Sequence, residues 1–267
     1  MIIFSNSKIN IGLNITNKRA DGFHNIQSVF YPIQLTDIFE FSLNNTSSFN
    51  LTGIEIADNN KNLIIQAYEI LQEKYKLALL KIHLHKIIPV KAGLGGGSSD
   101  AAHMLKALNT FFELNISNKK LHSFADKIGS DCSFFIKNKP SYVTGKGEKH
   151  SYLSNFLKGK FLVVIKPNIS ISTKEAFQNI KINNTPVELS TIPELPINEW
   201  KHFVTNDFES YAFDKHPELN DIKNFLYING AEYASMSGSG SAIYGIFNKN
   251  PNILSYKNYF VWNEVLV

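Results

Sequence analysis

An α+β fold in two parts is predicted for this chain of 267 residues. Three observations predict it. Apolar residues alternate with polar or small ones near the N-terminus, the period of a half-buried strand. A glycine cluster at residues 93–97 runs into a segment whose apolar positions fall three or four apart, so a loop opens a helix there. Near residue 150 the pattern begins again, with the buried-strand run Phe161-Leu162-Val163-Val164-Ile165. The expected domains are therefore residues 1–150 and 151–267.

A chain of this length can bury a large core. Its 43% hydrophobic and 19% charged residues are those of an ordinary soluble globular protein. No apolar run approaches a membrane span. The start, Met1-Ile2-Ile3-Phe4-Ser5-Asn6-Ser7-Lys8, lacks a basic region followed by a long apolar core, so no secretory signal is read. The single Cys132 excludes an internal disulfide and fits the cytoplasm, the expected location. A net charge of +4 from dispersed lysines argues against nucleic acid and suits an anionic small molecule.

In chain order, Ile9, Ile11, Leu13 and Ile15 form the apolar face of a first strand, with Lys8 and Asn10 on the opposite face. Taken alone, Lys8 reads as a solvated strand-edge lysine. In Arg19-Ala20-Asp21-Gly22-Phe23-His24 the Asp-Gly pair marks a turn that presents Phe23 and His24 side by side. Two more strands are expected over residues 26–33 and 38–41, then loops over 44–62. Asn62-Leu63 opens a helix whose shared face holds Leu63, Ile64, Ala67, Tyr68, Leu71 and Tyr75. His83 and His85 alternate on a strand and read as a solvated face rather than a metal site.

That strand feeds Pro89-Val90-Lys91-Ala92-Gly93-Leu94-Gly95-Gly96-Gly97-Ser98-Ser99-Asp100. Glycines let backbone approach a ligand with no Cβ in the way. A helix start adds exposed N–H groups and the positive end of the dipole, with Ser98 or Ser99 expected as N-cap. A phosphate is the natural guest. The spacing is not that of a Walker A loop, lacks the last glycine of a dinucleotide fingerprint, and ends a nucleophile elbow on Ala101 rather than glycine.

Further on, Leu121, Phe124, Ala125 and Ile128 mark a helix closed by Gly129. Asp131 follows, at the foot of an expected strand over 134–136, and reads locally as a turn former or cap. Residues 141–148 read as a strand ending in a turn. Thr173 is expected to cap a short helix through Ala176, Phe177 and Ile180, and residues 181–199 look like a loop. Helices follow from residue 205 and from Pro217, and a Gly-Ser turn at 237–241 joins two strands as a hairpin.

With these pieces in place, the sequence resembles the GHMP kinase superfamily over nearly its whole length. The stretch from Pro89 resembles the superfamily's phosphate loop, and residues 236–242 its C-terminal glycine motif. Ser7-Lys8-Ile9-Asn10, the Asp-Gly-Phe-His turn, Gly129-Ser130-Asp131 and Asn206-Asp207-Phe208-Glu209 narrow the resemblance to one branch. It implies a ribosomal-protein-S5-like N-terminal lobe and a ferredoxin-like C-terminal lobe. It also implies ATP-dependent phosphorylation of a hydroxyl of a cytidine diphosphate-linked methylerythritol, in non-mevalonate isoprenoid synthesis.

By that resemblance Asp131 is the catalytic base and Lys8 its partner. Pro89, Gly93, Leu94, Gly95, Gly96, Gly97, Ser98 and Ser99 hold ATP phosphates with Mg²⁺, and Asn62 and Leu63 meet adenine. Asn10, Phe23, His24, Thr173, Phe177, Gly238 and Ser239 bind substrate, His24 hydrogen-bonding cytosine and the two phenylalanines sandwiching it. No protein-held metal, nucleic acid or membrane is implied, and a monomer or weak homodimer is expected. Three departures stand out. Phe23 replaces the family's usual Tyr, Lys91 a small residue, and Cys132-Ser133 a Val-Pro, which allows a different backbone beside Asp131.

Overall fold

The apolar alternation at the N-terminus builds two long strands. The structure, a computed structural model, describes residues 1–56, 62–180 and 188–267. In chain order these hold β1 (Ile2–Lys18), β2 (His24–Leu43), β3 (Ser48–Gly53), α1 (Leu63–Tyr75), β4 (Leu80–Lys86), α2 (Gly96–Phe111), α3 (Asn118–Ile128) and α4 (Phe134–Lys137). There follow β5 (Ser141–Thr144), β6 (Lys149–Tyr152), β7 (Phe161–Lys166), α5 (Thr173–Gln178) and two 3₁₀ segments, Leu189–Glu194 and Ile197–His202. Last come α6 (Phe208–Lys215), α7 (Pro217–Ile228), β8 (Tyr233–Met236), β9 (Ile243–Phe247) and β10 (Phe260–Val265).

Packing groups the chain into two units. One draws on Met1–Ser7, Leu35–Val90 and Gly95–Asn138, the other on Lys8–Gln34, Lys91–Leu94 and Lys139–Val267. These units interleave along the chain, whereas the sequence reading divides it once.

In the first unit, β4 pairs antiparallel with the Ile38–Leu43 part of β2 and parallel with β3. α1 buries Ile64, Ala67, Tyr68 and Leu71, and packs against α2, which buries Ala101, Met104, Leu105 and Leu108. Each large side chain among these contributes about 1.5–3 kcal/mol by leaving water.

In the second unit, β7 lies within a four-stranded antiparallel sheet of order β10-β7-β9-β8. Its core joins Val163 and Ile165 to Leu13 and Ile15 of β1, Phe208 of α6 and Leu219, Ile222 and Leu226 of α7. The hairpin read at 237–241 is present, closed by Ser237 N–H donating to Ala242 O at 2.9 Å.

Several local expectations are corrected. Residues 24–43 form one strand, not two, and β3 lies within residues 44–62, which were read as containing loops. Residues 134–136 are a helical turn rather than a strand, because the chain turns through Cys132 N–H to Gly129 O and Ile136 N–H to Ser133 O. Gly95, at φ 71°, caps α2, so the helix starts early and Ser98 and Ser99 fall inside its first turn. Ser172 caps α5, its Oγ accepting from Glu175 N–H at 3.4 Å, while Thr173 Oγ1 accepts from Ser239 Oγ at 3.2 Å. The loop read over 181–199 contains 3₁₀ turns from Leu189 onward, and residues 181–187 lie outside the described residues.

Candidate active site

In the second unit the two glycine motifs meet. A Cβ on Gly93 would lie 1.8 Å from Ser237 O, and one on Gly240 would lie 2.1 Å from Gly93 N. Gly93 also has φ +80°. Glycine is therefore required twice, by close backbone approach and by a left-handed conformation. Ala242 N–H donates to Ala92 O at 3.1 Å and Ser241 N–H to Lys91 O at 3.3 Å. Lys91 is exposed, with φ 53°.

Lys8 comes to this junction. It is 2% exposed, against the solvated position that alternation suggests. Its Nζ donates to Gly93 O at 3.0 Å and to Asn10 Oδ1, and lies 4.6 Å from the Phe30 ring centroid. Ser237 Oγ donates to the same Gly93 carbonyl at 2.9 Å and accepts from Asn10 N–H at 3.2 Å. Asn10 Nδ2 donates to Ser28 Oγ at 3.0 Å, and Ser28 Oγ donates to Gly12 O at 2.6 Å. Asn206 Nδ2 donates to the carbonyls of Met236 and Gly238, each at 2.8 Å, fixing the second glycine turn. Sequence reasoning gave Ser28, Ser237 and Asn206 no role. Only the Asn206 motif and the position of Ser237 in the glycine turn were visible signals.

The aromatic pair also lies in this unit. His24 stacks on Phe177 with centroids 5.1 Å apart and planes 20° apart. Phe177 meets Phe208 edge-on at 4.9 Å. Burial, with Lys18 nearby, holds the His24 imidazole below its ordinary pKa, which favours the neutral form. Its turn is shaped by Asp21 Oδ1, which accepts from Phe23 N–H at 3.2 Å and Arg19 Nε at 3.0 Å. Phe23 remains 54% exposed, with Lys146 Nζ 4.7 Å from its ring centroid.

The first unit holds the helix-start features. Asn62 caps α1, its Oδ1 accepting from Ile64 N–H at 3.2 Å, while Asn62 Nδ2 is buried with no hydrogen-bond partner among the described residues. Such an orphaned donor suits a ligand acceptor. Leu63 Cδ1 lies 3.7 Å from where a Gly97 Cβ would be, so the start of α1 sits beside the start of α2. No side chain caps α2. Among the described residues no side chain accepts from its first-turn N–H groups, the condition for binding an anion.

Asp131 lies on the turn between α3 and α4. The neighbouring Cys132 is fully buried and hydrogen-bonded to Ser98, which brings this turn against α2. Burial pushes the Cys132 thiol up to about 12, so it is a packed filler rather than a nucleophile. Ser133 keeps φ −64°, the value a proline would impose, so losing the family's proline has not released the backbone. Ser99 is not an activated nucleophile either. His103 Nδ1 donates to Ser99 O at 2.9 Å, so that nitrogen carries its proton and has no lone pair with which to take the Ser99 hydroxyl proton. Burial holds His103 down to about 4.

Among the described residues no cluster of three His, Cys, Asp or Glu could hold a metal, and no helix is long and apolar enough to cross a membrane.

Comparison with known proteins follows this geometry. Residues 62–139 match the GHMP kinases N terminal domain, and residues 192–255 match GHMP kinases C terminal. A 4-diphosphocytidyl-2-C-methyl-D-erythritol kinase of Bacteroides thetaiotaomicron is 46% identical over 252 residues, 92% of each chain. One from Parabacteroides distasonis is 43% identical over 270 residues, all of both chains. A crystal structure of 4-(cytidine 5'-diphospho)-2C-methyl-D-erythritol kinase superposes with TM-score 0.76 at 27% identity, covering 92% of this chain and 90% of that one.

Proposed function

Since the chain belongs to the GHMP kinases, and among them to the 4-diphosphocytidyl-2-C-methyl-D-erythritol kinase family, we propose that it transfers the γ-phosphoryl of ATP to the 2-hydroxyl of 4-diphosphocytidyl-2-C-methyl-D-erythritol. This is a step of non-mevalonate isoprenoid synthesis. The observation that carries the reading is the junction at Gly93, where Lys8, Asn10 and the second glycine turn converge on the phosphate loop.

Asp131 acts as the base that accepts the proton of the attacking hydroxyl. Lys8 stabilises charge developing on the transferring group. The transition state is loose, so positioning and electrostatics carry most of the acceleration. Gly93, Leu94, Gly95, Gly96, Gly97, Ser98 and Ser99 cradle the phosphates, with Pro89 starting the stretch. The orphaned Asn62 amide supports adenine recognition beside Leu63. Mg²⁺ arrives with the nucleotide and offsets its charge.

Asn10, Thr173, Gly238 and Ser239 bind the acceptor, and His24, Phe23 and Phe177 take the cytosine. With His24 stacked on Phe177 before binding, the base enters by displacing or extending that stack. The division into an ATP-binding domain at 1–150 and a C-terminal domain at 151–267 belongs to the same proposal, supported by the two family matches falling on either side of residue 150. So do a cytoplasmic location and a monomer or weak homodimer.

The test offers ATP·Mg²⁺ with the cytidine acceptor, mevalonate or galactose and follows ADP release. Turnover is expected with the first alone, and silence there would sink the substrate assignment. Asp131→Asn should lower kcat about 10²–10⁴-fold if this aspartate is the base. Near-normal turnover would remove it from that role.

A further inference from the structure

Three buried charged groups at the start of α2 take no part in the reading above. Lys86, the last residue of β4, is 3% exposed. Its Nζ donates to Asp37 Oδ2 on β2 and, at 3.0 Å, to Asp100 Oδ2 on α2. Asp37 Oδ1 accepts from Ile87 N–H at 2.6 Å and Ile88 N–H at 2.8 Å, the first two residues past β4. Ser5 Oγ of β1 donates to Asp100 Oδ1 at 2.6 Å. Lys86 Nζ also lies 3.2 Å from where a Gly96 side chain would begin. One ammonium therefore ties the place where the chain enters the glycine stretch to the place where it leaves.

This arrangement suits a geometric task better than a stabilising one. A buried ion cluster adds little stability over apolar residues of the same volume, because desolvation offsets the attraction. A glycine-rich loop, by contrast, loses more backbone freedom on ordering than any other kind. A ligand that must order such a loop binds weakly unless the loop is held beforehand. Burial opposes the charge on Lys86, but Asp100 and Asp37 outweigh it and raise its pKa, so the tie stays ionic.

We propose that Lys86, gripped by Asp37 and Asp100, is a positioning residue that holds the glycine stretch in its nucleotide-binding shape before nucleotide arrives. The inference rests on ATP being the ligand of that stretch. Because the tie acts on the free protein, it is open to measurement without nucleotide.

The experiment is amide hydrogen exchange on the unliganded full chain, paired with dissociation constants for ATP and for the cytidine acceptor. In Lys86→Met, exchange across residues 92–98 should rise about tenfold or more beyond any rise in β7 and β9. ATP affinity should fall about tenfold with acceptor affinity within about twofold. Should Lys86→Met not fold, Ser5→Ala removes only the hydroxyl's bonds to Asp100 Oδ1 and the Asp37 carbonyl and should raise exchange in the same segment about threefold. Unchanged exchange at 92–98 in a folded variant, or a rise spread evenly over the chain, would overturn the proposal. Wild-type protein that fails to bind ATP would strike at the kinase reading instead, and the exchange result would still decide the positioning role.

Discussion

Lys8 and Lys86 are both buried lysines, and both reach the glycine stretch, but in different company. Lys86 donates to two carboxylates, and its ion cluster is closed by backbone N–H groups and a serine. Lys8 donates to a backbone carbonyl and a side-chain amide and lies over an aromatic ring. The difference separates two uses of the same side chain. Two carboxylates absorb a charge locally and turn it into a tie between elements. At Lys8 the carbonyl and amide oxygens instead hold the ammonium at the glycine junction.

The contrast can be broken by substitution. The largest expected effect is on stability in Lys86→Met, which leaves Asp37 and Asp100 buried together and should cost about 3–5 kcal/mol, read from thermal or denaturant unfolding. A loss under about 1 kcal/mol would mean the cluster is not a tie. Lys8→Met should reverse the pattern. Its kcat should fall about 10²–10³-fold, while stability falls less than in Lys86→Met, by about 1.5–3 kcal/mol with the bonds to Gly93 and Asn10 lost. Equal stability losses in the two variants would erase the distinction.

Gly93→Ala is intermediate. A Cβ there meets Ser237 O at 1.8 Å on a backbone at φ +80°, so a cost of about 1–3 kcal/mol from strain should come with weakened ATP binding. Wild-type ATP affinity in this variant would place the glycine junction outside the site.

A further effect is a pH dependence on the Lys86 side. Burial, partly offset by Lys86, raises the Asp100 carboxyl from 3.8 to about 6. The folded state then holds this proton more tightly than the unfolded state. Its contribution to stability is full below pH 3.8 and declines as pH rises to about 6. Asp100→Asn should flatten that decline, seen as a stability difference from wild type that changes between those pH values and is level above them. A difference independent of pH would show that Asp100 does not titrate there.

The two lysines also differ in how far the sequence exposed them. The glycine stretch and the helix at Asn62 were legible because helix periodicity and glycine clustering are local signals. Lys8 was legible only through resemblance, since strand alternation put it on a polar face that the fold in fact covers. Asp37, Lys86 and Asp100 lie 49 and 14 residues apart, and no local rule distinguishes them from surface charges. Ser28 was hidden in the same way, as a hydroxyl whose partners come from other parts of the chain. Caps were misread at Ser98 and Thr173 because a left-handed glycine in one case and the preceding serine in the other met the need first.

The most direct test of the account is a single-turnover phosphorus NMR experiment with excess enzyme, ATP·Mg²⁺ and the cytidine acceptor, run on wild type and Lys8→Met. Wild type should convert the γ-phosphorus signal into a phosphomonoester on the acceptor. Lys8→Met should do so about 10²–10³-fold more slowly with ATP affinity nearly retained. Inorganic phosphate in place of the phosphomonoester, or equal rates in the two proteins, would contradict it.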